Sequence, residues 1–400
     1  MIITTDFLKE LFRGFTVLRW NDKIRPMDFP EIDKHAHKMI IAYCIGKYEE
    51  SIGKTVNWDN IIRGGIFELL RRIVISDIKS PIFYKIKSEN QKIFYKLCQW
   101  VYKQLEPIIE DKAVRVELRD YLLGENPLDP FSLKILDAAH KYASYWEFQM
   151  IKQANPNGFQ IDEIERALLA EIDYHLELVG IRKIVTRQRI ADFVDLCGQL
   201  RFQVRWAQTS RLPKTSVLGH TMFVACLSYF FARDNNACQK RIYNDFFGGL
   251  FHDLPEAVTR DIISPLKKSN PMLGKLLKSI EVELAEKEIY PMLEAKWIKE
   301  IKYFTQDEFK NKIVKDNIIH KRNITVEDIN QKYNDNIYNP IDGEMIKAAD
   351  DLAAYLECWH SINYGIRSEY LEGALNQIRS EWENRVFGNV RLKTFYSNLK

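Results

Sequence analysis

The chain of 400 residues lacks any run of about 18 uninterrupted apolar residues, so nothing in it reads as a membrane-crossing helix. Its longest apolar stretch, "MFVACLSYFFA" (Met222–Ala232), has the length of a buried core helix. It lacks a Cys-x-x-Cys pair. Its six cysteines, Cys44, Cys98, Cys197, Cys226, Cys238 and Cys358, are scattered, which fits reduced, buried thiols rather than a disulfide framework or a metal clip. It lacks an excess of either charge: 58 Lys and Arg stand against 55 Asp and Glu, for a net charge of +3. No basic, aromatic-interleaved stripe occurs, which argues against a surface for nucleic-acid polymers. The opening "MIITTDFLKELFRG" has early acidic residues and no small-residue cleavage signature. No secretory leader is expected, and a cytoplasmic location is.

Alternating apolar and polar runs bounded by turn signals are scarce as well. What is present is helical spacing, as in "DEIERALLAEIDYHLELVGI" and "VELAEKEIYPMLEAKWIKEI". With 46% hydrophobic residues the chain can bury sizeable cores, and its length exceeds one ordinary core. The expected fold class is all-α.

The sequence also reads as one text written twice. "GGIFELLRRIVISDIKSP" from Gly64 and "GGLFHDLPEAVTRDIISP" from Gly248 share a frame. Around an offset of 184, "DFLKELFRGFTVLRW" (Asp6–Trp20) lies over "DFVDLCGQLRFQVRW" (Asp192–Trp206), "HKMIIA" from His37 over "HTMFVA" from His220, and "KQLEPIIE" over "KEIYPMLE". Further on the offset widens to 210, where "ILDAAHKYASYWE" meets "MIKAADDLAAYLE". The extra residues fall in "DEFKNKIVKDNIIHKRNITVEDINQKYNDNIYNP", whose polar composition suits a surface insertion. Two helical domains are expected, residues 1–185 and 186–400, joined near 180–190 by a short helical connection and packed as a pseudo-dimer.

The second copy carries the chemistry-bearing residues. His220 opens an apolar helix, His252 and Asp253 are adjacent in "FHDLPEA", and Asp350 sits in "KAADDLAAYLE". Two imidazoles and two carboxylates form a mixed N/O set suited to a divalent ion such as Mn²⁺, Co²⁺, Fe²⁺, Ni²⁺ or Zn²⁺, with Mg²⁺ as a further candidate. A helix running through His252 would put Glu256 on the ligand face.

The order His220…His252-Asp253…Asp350, with Arg205-Trp206 before it, resembles the HD-domain metal-dependent phosphohydrolases. "HDLPEAVTRDIISPLK" looks closest to the YfbR-like 5′-deoxynucleotidases. The resemblance implies two HD-like helical bundles, the first degenerate. It implies His220, His252, Asp253 and Asp350 as ligands of one divalent ion, Glu256 as catalytic acid/base, and Asp261, Arg205 and Trp206 around the nucleotide's sugar and phosphate. Trp206 reads equally as a core residue, and Lys267, in "PLK", reads either as a phosphate contact or as a surface lysine. Arg260 stands where the family's Thr-Gly-Asp string has glycine. In the first copy His252 becomes Glu68, Asp253 becomes Leu69, Glu256 becomes Arg72 and Asp350 becomes His140. A residual His37/Glu68/His140 set is what remains there of a metal site. The resemblance thus implies release of phosphate from deoxynucleoside 5′-monophosphates in the second copy. The alternatives are hydrolysis of a nucleoside triphosphate or signalling nucleotide, and nucleotide sensing with little turnover. The partner expected is a nucleotide, with neither membrane nor nucleic-acid polymer, and homo-oligomers are compatible with the pattern.

Overall fold

Helix follows helix because apolar residues recur at three- and four-residue spacing almost without interruption. The structure, a computed structural model, describes residues 1–76, 78–125, 128–260 and 270–399. In the first half, α1 (Thr5–Phe12) leads into a two-residue strand pair, β1 (Leu18–Arg19) with β2 (Phe29–Pro30). Then come α2 (Glu31–Ser51), α3 (Trp58–Ile75), α4 (Ser80–Glu89), α5 (Gln91–Leu105) and α6 (Lys112–Leu123). The half closes with α7 (Pro130–Ala154) and α8 (Ile161–Asp173). The expected connection is a helix–turn–helix: α9 (Val179–Val185), Arg187 at φ 56°, and α10 (Arg189–Gln199). In the second half α11 (Val217–Asp234) and α12 (Gln239–Phe251) precede a short α13 (Glu256–Thr259), α14 (Pro271–Leu284) and α15 (Ala295–Thr305). A hairpin, β3 (Ile313–Lys315) with β4 (Ile318–His320), follows, then α16 (Gly343–Asn363) and α17 (Glu369–Trp382). A last strand pair, β5 (Val386–Phe387) with β6 (Val390–Arg391), leads to α18 (Lys393–Asn398). The all-α expectation holds, since among the described residues strands occur only as these small pairs.

α11 is apolar all round and buried from Val217 to Ala232, as a central helix must be. Its N-cap, Ser216, accepts from the Gly219 N–H at 2.8 Å. It packs on α12 and α16, as α2 packs on α3 and α7, and α2 and α11 also pack on each other. One hydrophobic cluster runs from Ile2 to Leu399 through both halves. Tyr43 of α2 meets Phe247 and Phe251 of α12 at ring distances of 5.0 and 5.2 Å. The Ile2 N–H donates to Asp234 across the chain at 2.8 Å.

The paired glycines have a packing reason. A Cβ on Gly249 would lie 2.9 Å from the Ala225 Cα, so only glycine lets α12 settle on α11 there. Gly249→Ala is expected to lower stability by about 1–3 kcal/mol in a thermal melt. Gly373→Ala, with nothing within 4 Å of its new methyl in the exposed face of α17, should raise stability by up to ~1 kcal/mol.

The insertion reading needs correction. β4 is exposed, but Asn311, Lys312, Ile313, Val326 and Ile329 are buried. Lys312 is tied by its Nζ to the carbonyl of Gln306 at 3.0 Å. Polar side chains there satisfy backbone groups and do not simply face water. Of the six cysteines, all free, five are buried and Cys238 is half-buried, and burial pushes the Cys226 and Cys44 thiols up, which keeps them unreactive. Among the described residues no helix is long and apolar enough to cross a membrane.

Candidate functional site

His220 is the fourth residue of α11 and fully buried. His252 follows the last residue of α12, and here the structure departs from the expected continuous helix. α12 stops at Phe251, and residues 252–255 form turns before α13 starts at Glu256. Pro255 has no N–H to continue the helical ladder and restricts the residue before it. Glu256 nevertheless returns to the site, because its N–H donates to the Asp253 carbonyl at 3.0 Å and Gln203 Nε2 donates to its carbonyl at 2.9 Å. Asp350 projects from α16.

These elements bring four side chains together. One ligand atom each from His220, His252 and Asp253 lies within 4.8 Å of the others. His220 Nε2 is 2.9 Å from Asp350 Oδ1 and 3.9 Å from Asp253 Oδ2. His252 Nδ1 faces the Gly249 carbonyl at 2.8 Å. A carbonyl only accepts, so the proton belongs on Nδ1 and a neutral ring has its lone pair on Nε2. That lone pair faces Asp253 Oδ2 at 3.1 Å, and no hydrogen bond satisfies Nε2 in this buried position. Two electron-rich atoms this close require a cation or a proton between them. The donor set and its geometry therefore fit a divalent ion.

The charges agree. Burial pushes the Asp253 carboxyl up, but positive charge on the neighbouring His252, which that carboxylate in turn favours, outweighs it and holds it below the usual carboxylate range, as a cation between them would. Burial likewise opposes the ionisation of Asp350, and Lys347, with Nζ at 2.8 Å, holds it well below. Asp351 is a different case: burial and the charge of Asp350 push it up. It turns away from the site, as expected of a neighbour on the helix, and accepts from Trp382 Nε1 at 2.9 Å.

The site opens into a cavity of about 320 Å³ lined by Arg205, His252, Asp253, Glu256, Arg260 and Asp350, among others. Arg205 lies 3.6 Å from Asp253, 4.0 Å from Asp350 and 3.3 Å from Glu357. Trp206 does not line this cavity; its Nε1 donates to Glu357 at 2.6 Å, behind Arg205. Asp261 and Lys267 lie outside the described residues. Sequence reasoning missed Glu357, which also accepts from Thr215 at 2.7 Å and lies 4.0 Å from His220 Nδ1. Its signal was spacing, two helical turns after Asp350. It missed Phe309 too, whose ring is 5.9 Å from His252 and which no local pattern marks.

A similar frame recurs in the first half without the ligands. Arg19 Nε and Trp20 Nε1 donate to Glu147 at 2.8 and 2.9 Å, as Arg205 and Trp206 pair with Glu357. Trp20 and Trp206 share a left-handed backbone, at φ 54° and 59°. In the place of His220 stands Lys34, the fourth residue of α2, against His140. His140 Nδ1 is 2.8 Å from Glu68, and Lys38 also pairs with Glu68. His37 does not join them: its Nε2 pairs with the Val194 carbonyl at 2.9 Å. The residual His37/Glu68/His140 set is therefore not assembled. The register is set by where each helix begins, which puts His37 nearly one turn too far along α2.

Residues 197–379 match a family model described as HD domain. The chain is 27% identical over 206 residues to a 5′-deoxynucleotidase of Photobacterium profundum, a match that covers 49% of this chain and 89% of that protein. No solved structure matches.

Proposed function

Since residues 197–379 belong to the HD-domain phosphohydrolases, we propose that this metal-dependent phosphohydrolase is a 5′-deoxynucleotidase, hydrolysing deoxynucleoside 5′-monophosphates to deoxynucleoside and phosphate. The observation that carries the reading is the buried His252 Nε2 facing Asp253 Oδ2 at 3.1 Å, on the wall of a cavity that also holds Arg205 and Glu256. His220, His252, Asp253 and Asp350 would hold the divalent ion. When bound, such an ion lowers the pKa of water and offsets phosphate charge.

The other roles fall to the chain's own side chains. Arg205, braced by Glu357, turns a guanidinium toward phosphoryl oxygens, where planar paired donors match the developing charge. Glu256 takes the proton of the attacking water or returns one to the leaving 5′-oxygen. A P–O bond to water forms and the bond to the 5′-oxygen breaks. Trp206, read from the sequence as a sugar-side residue, acts indirectly, by fixing Glu357 and so Arg205. Asp261 and Lys267 belong to the same proposal as sugar and phosphate contacts. Residues 1–185 are read as a diverged copy that braces the catalytic half, residues 186–400, as in a pseudo-dimer. The recurring Arg–Trp–Glu contacts support this reading.

Phosphate release from a panel of deoxy- and ribonucleoside 5′-monophosphates, with Mn²⁺, Co²⁺ or Mg²⁺ supplied in turn, tests the assignment. Deoxymonophosphates should release phosphate, chelator should stop it, and metal analysis should find close to one ion per chain. Pyrophosphate or tripolyphosphate released from larger nucleotides, with monophosphates inert, would move the assignment to a larger substrate. Two ions per chain would contradict the reading of the first half, where Lys34 and Leu69 replace ligands.

A further inference from the structure

The cavity has one cation whose position costs the backbone something. Arg260 adopts φ 64° and ψ 163°, a region that side chains other than hydrogen rarely enter. Its N–H donates to the Glu256 carbonyl at 2.8 Å, closing α13. That bond fixes it one turn after Glu256, on the wall it shares with Arg205. Glycine would relieve the strain, yet this chain has arginine.

Among the described residues, the other cations of the cavity are already engaged. Lys278 pairs with Glu281 at 2.6 Å and with Glu308 at 3.2 Å. Lys347 is held between Asp350 and Asp351 at 2.8 and 2.9 Å. Arg205 faces Asp253, Asp350 and Glu357. Arg260 is exposed at the mouth, and among the described residues no carboxylate lies within ion-pair distance of it. A strained backbone kept at a functional cavity, bearing a guanidinium with unspent donors, is the arrangement expected of a group whose partner arrives with the ligand.

We propose that Arg260 is a specificity-determining residue that captures the phosphate dianion of the substrate at the cavity mouth, alongside Arg205. The proposal rests on the phosphohydrolase reading of the same site. Arg260 acts in binding rather than in the bond-breaking step, so its loss raises KM and leaves kcat nearly unchanged.

The test measures binding of inorganic phosphate to the metal-loaded full chain by calorimetry, for the parent, Arg260→Gly, Arg260→Ala and Arg260→Lys, with melting temperatures alongside. Arg260→Gly and Arg260→Ala should weaken phosphate roughly tenfold. Arg260→Lys should recover part of the loss, since it keeps the charge but not the paired donors. Arg260→Gly should melt above Arg260→Ala, because only glycine relieves the backbone. With deoxymonophosphate, KM should rise by a similar factor and kcat stay within about threefold. Phosphate affinity within twofold of the parent in Arg260→Gly overturns the proposal, as does a parent that binds no phosphate. A parent that binds phosphate through Arg260 but hydrolyses no monophosphate leaves Arg260 in place and removes the 5′-deoxynucleotidase assignment instead.

Discussion

Asp253→Asn should reduce metal-dependent phosphate release by roughly a thousandfold or more, about 4 kcal/mol of barrier, and Asp253→Ala should do the same. Asparagine keeps the shape but not the charge that lies 3.1 Å from His252 and 3.6 Å from Arg205. With that charge gone, a buried centre of two neutral imidazoles and one carboxylate holds a divalent cation poorly, so metal content should fall with the rate. The matched control lies at Leu69 in the first half. Leu69 is fully buried, and truncating it to alanine would open a cavity costing about 2–5 kcal/mol. Leu69→Met conserves volume, and its rate should stay near the parent's. Metal content by elemental analysis and helicity by circular dichroism separate loss of the centre from loss of the fold. An Asp253→Asn protein that keeps both its metal and its rate would remove the centre from the second half.

Much of the fold was legible because helices are local. The uniform apolar run in α11 announced a buried core helix. The end of α12 was misread although Pro255 was in plain view, because the four-residue spacing from His252 to Glu256 matched a helix equally well. The insertion was misread for a different reason. Its Asn-rich composition suggests water, but Asn311 donates to the Ile324 carbonyl at 3.0 Å, and Val326 and Ile329 reach the core. Composition records polarity and not where the polar groups find partners.

The candidate site was legible where its members carry distinctive chemistry. Two histidines and two aspartates in apolar surroundings stand out, and the structure brings all four side chains together. The register of the first half did not stand out. "HKMIIA" and "HTMFVA" match by letter, yet Leu18 pairs with Pro30 and Val204 bridges Ser216. These pairings start α2 at Glu31 and α11 at Val217, so Lys34 and not His37 answers His220. A shift of three residues is nearly a full turn, so it leaves the apolar face in place and the pattern cannot reveal it. Glu357 went unread although it lies two helical turns after Asp350, since its partner Arg205 lies 152 positions away.

Glu147 should prove the most costly first-half residue to remove. It is fully buried and accepts from Arg19 Nε at 2.8 Å, Trp20 Nε1 at 2.9 Å and Arg201 Nη1 at 2.9 Å. Arg201 comes from the segment just before Arg205 and is itself buried, its guanidinium 4.8 Å from the Trp146 ring. Glu147→Gln therefore takes the carboxylate from the buried Arg201 guanidinium and leaves Arg19 to Glu31, 3.2 Å away, at an expected cost of about 3–5 kcal/mol. Removing Glu10 from its exposed pair with Arg13 should cost no more than ~1 kcal/mol. Burial pushes the Glu147 carboxyl up, but Arg19 and Arg201 outweigh it and hold it below its usual range. Its contribution is thus complete near neutral pH and is lost as pH falls below about 4.3, the ordinary glutamate value, so parent and variant should converge in acid. Urea unfolding followed by both circular dichroism and phosphate release decides how far the effect reaches. If one core serves both halves, as the cluster from Ile2 to Leu399 implies, both signals should shift together in Glu147→Gln, although every candidate ligand lies in the other half. Activity that outlasts an early helical loss would mean that the first half melts alone and that Arg201 does not tie it to the site.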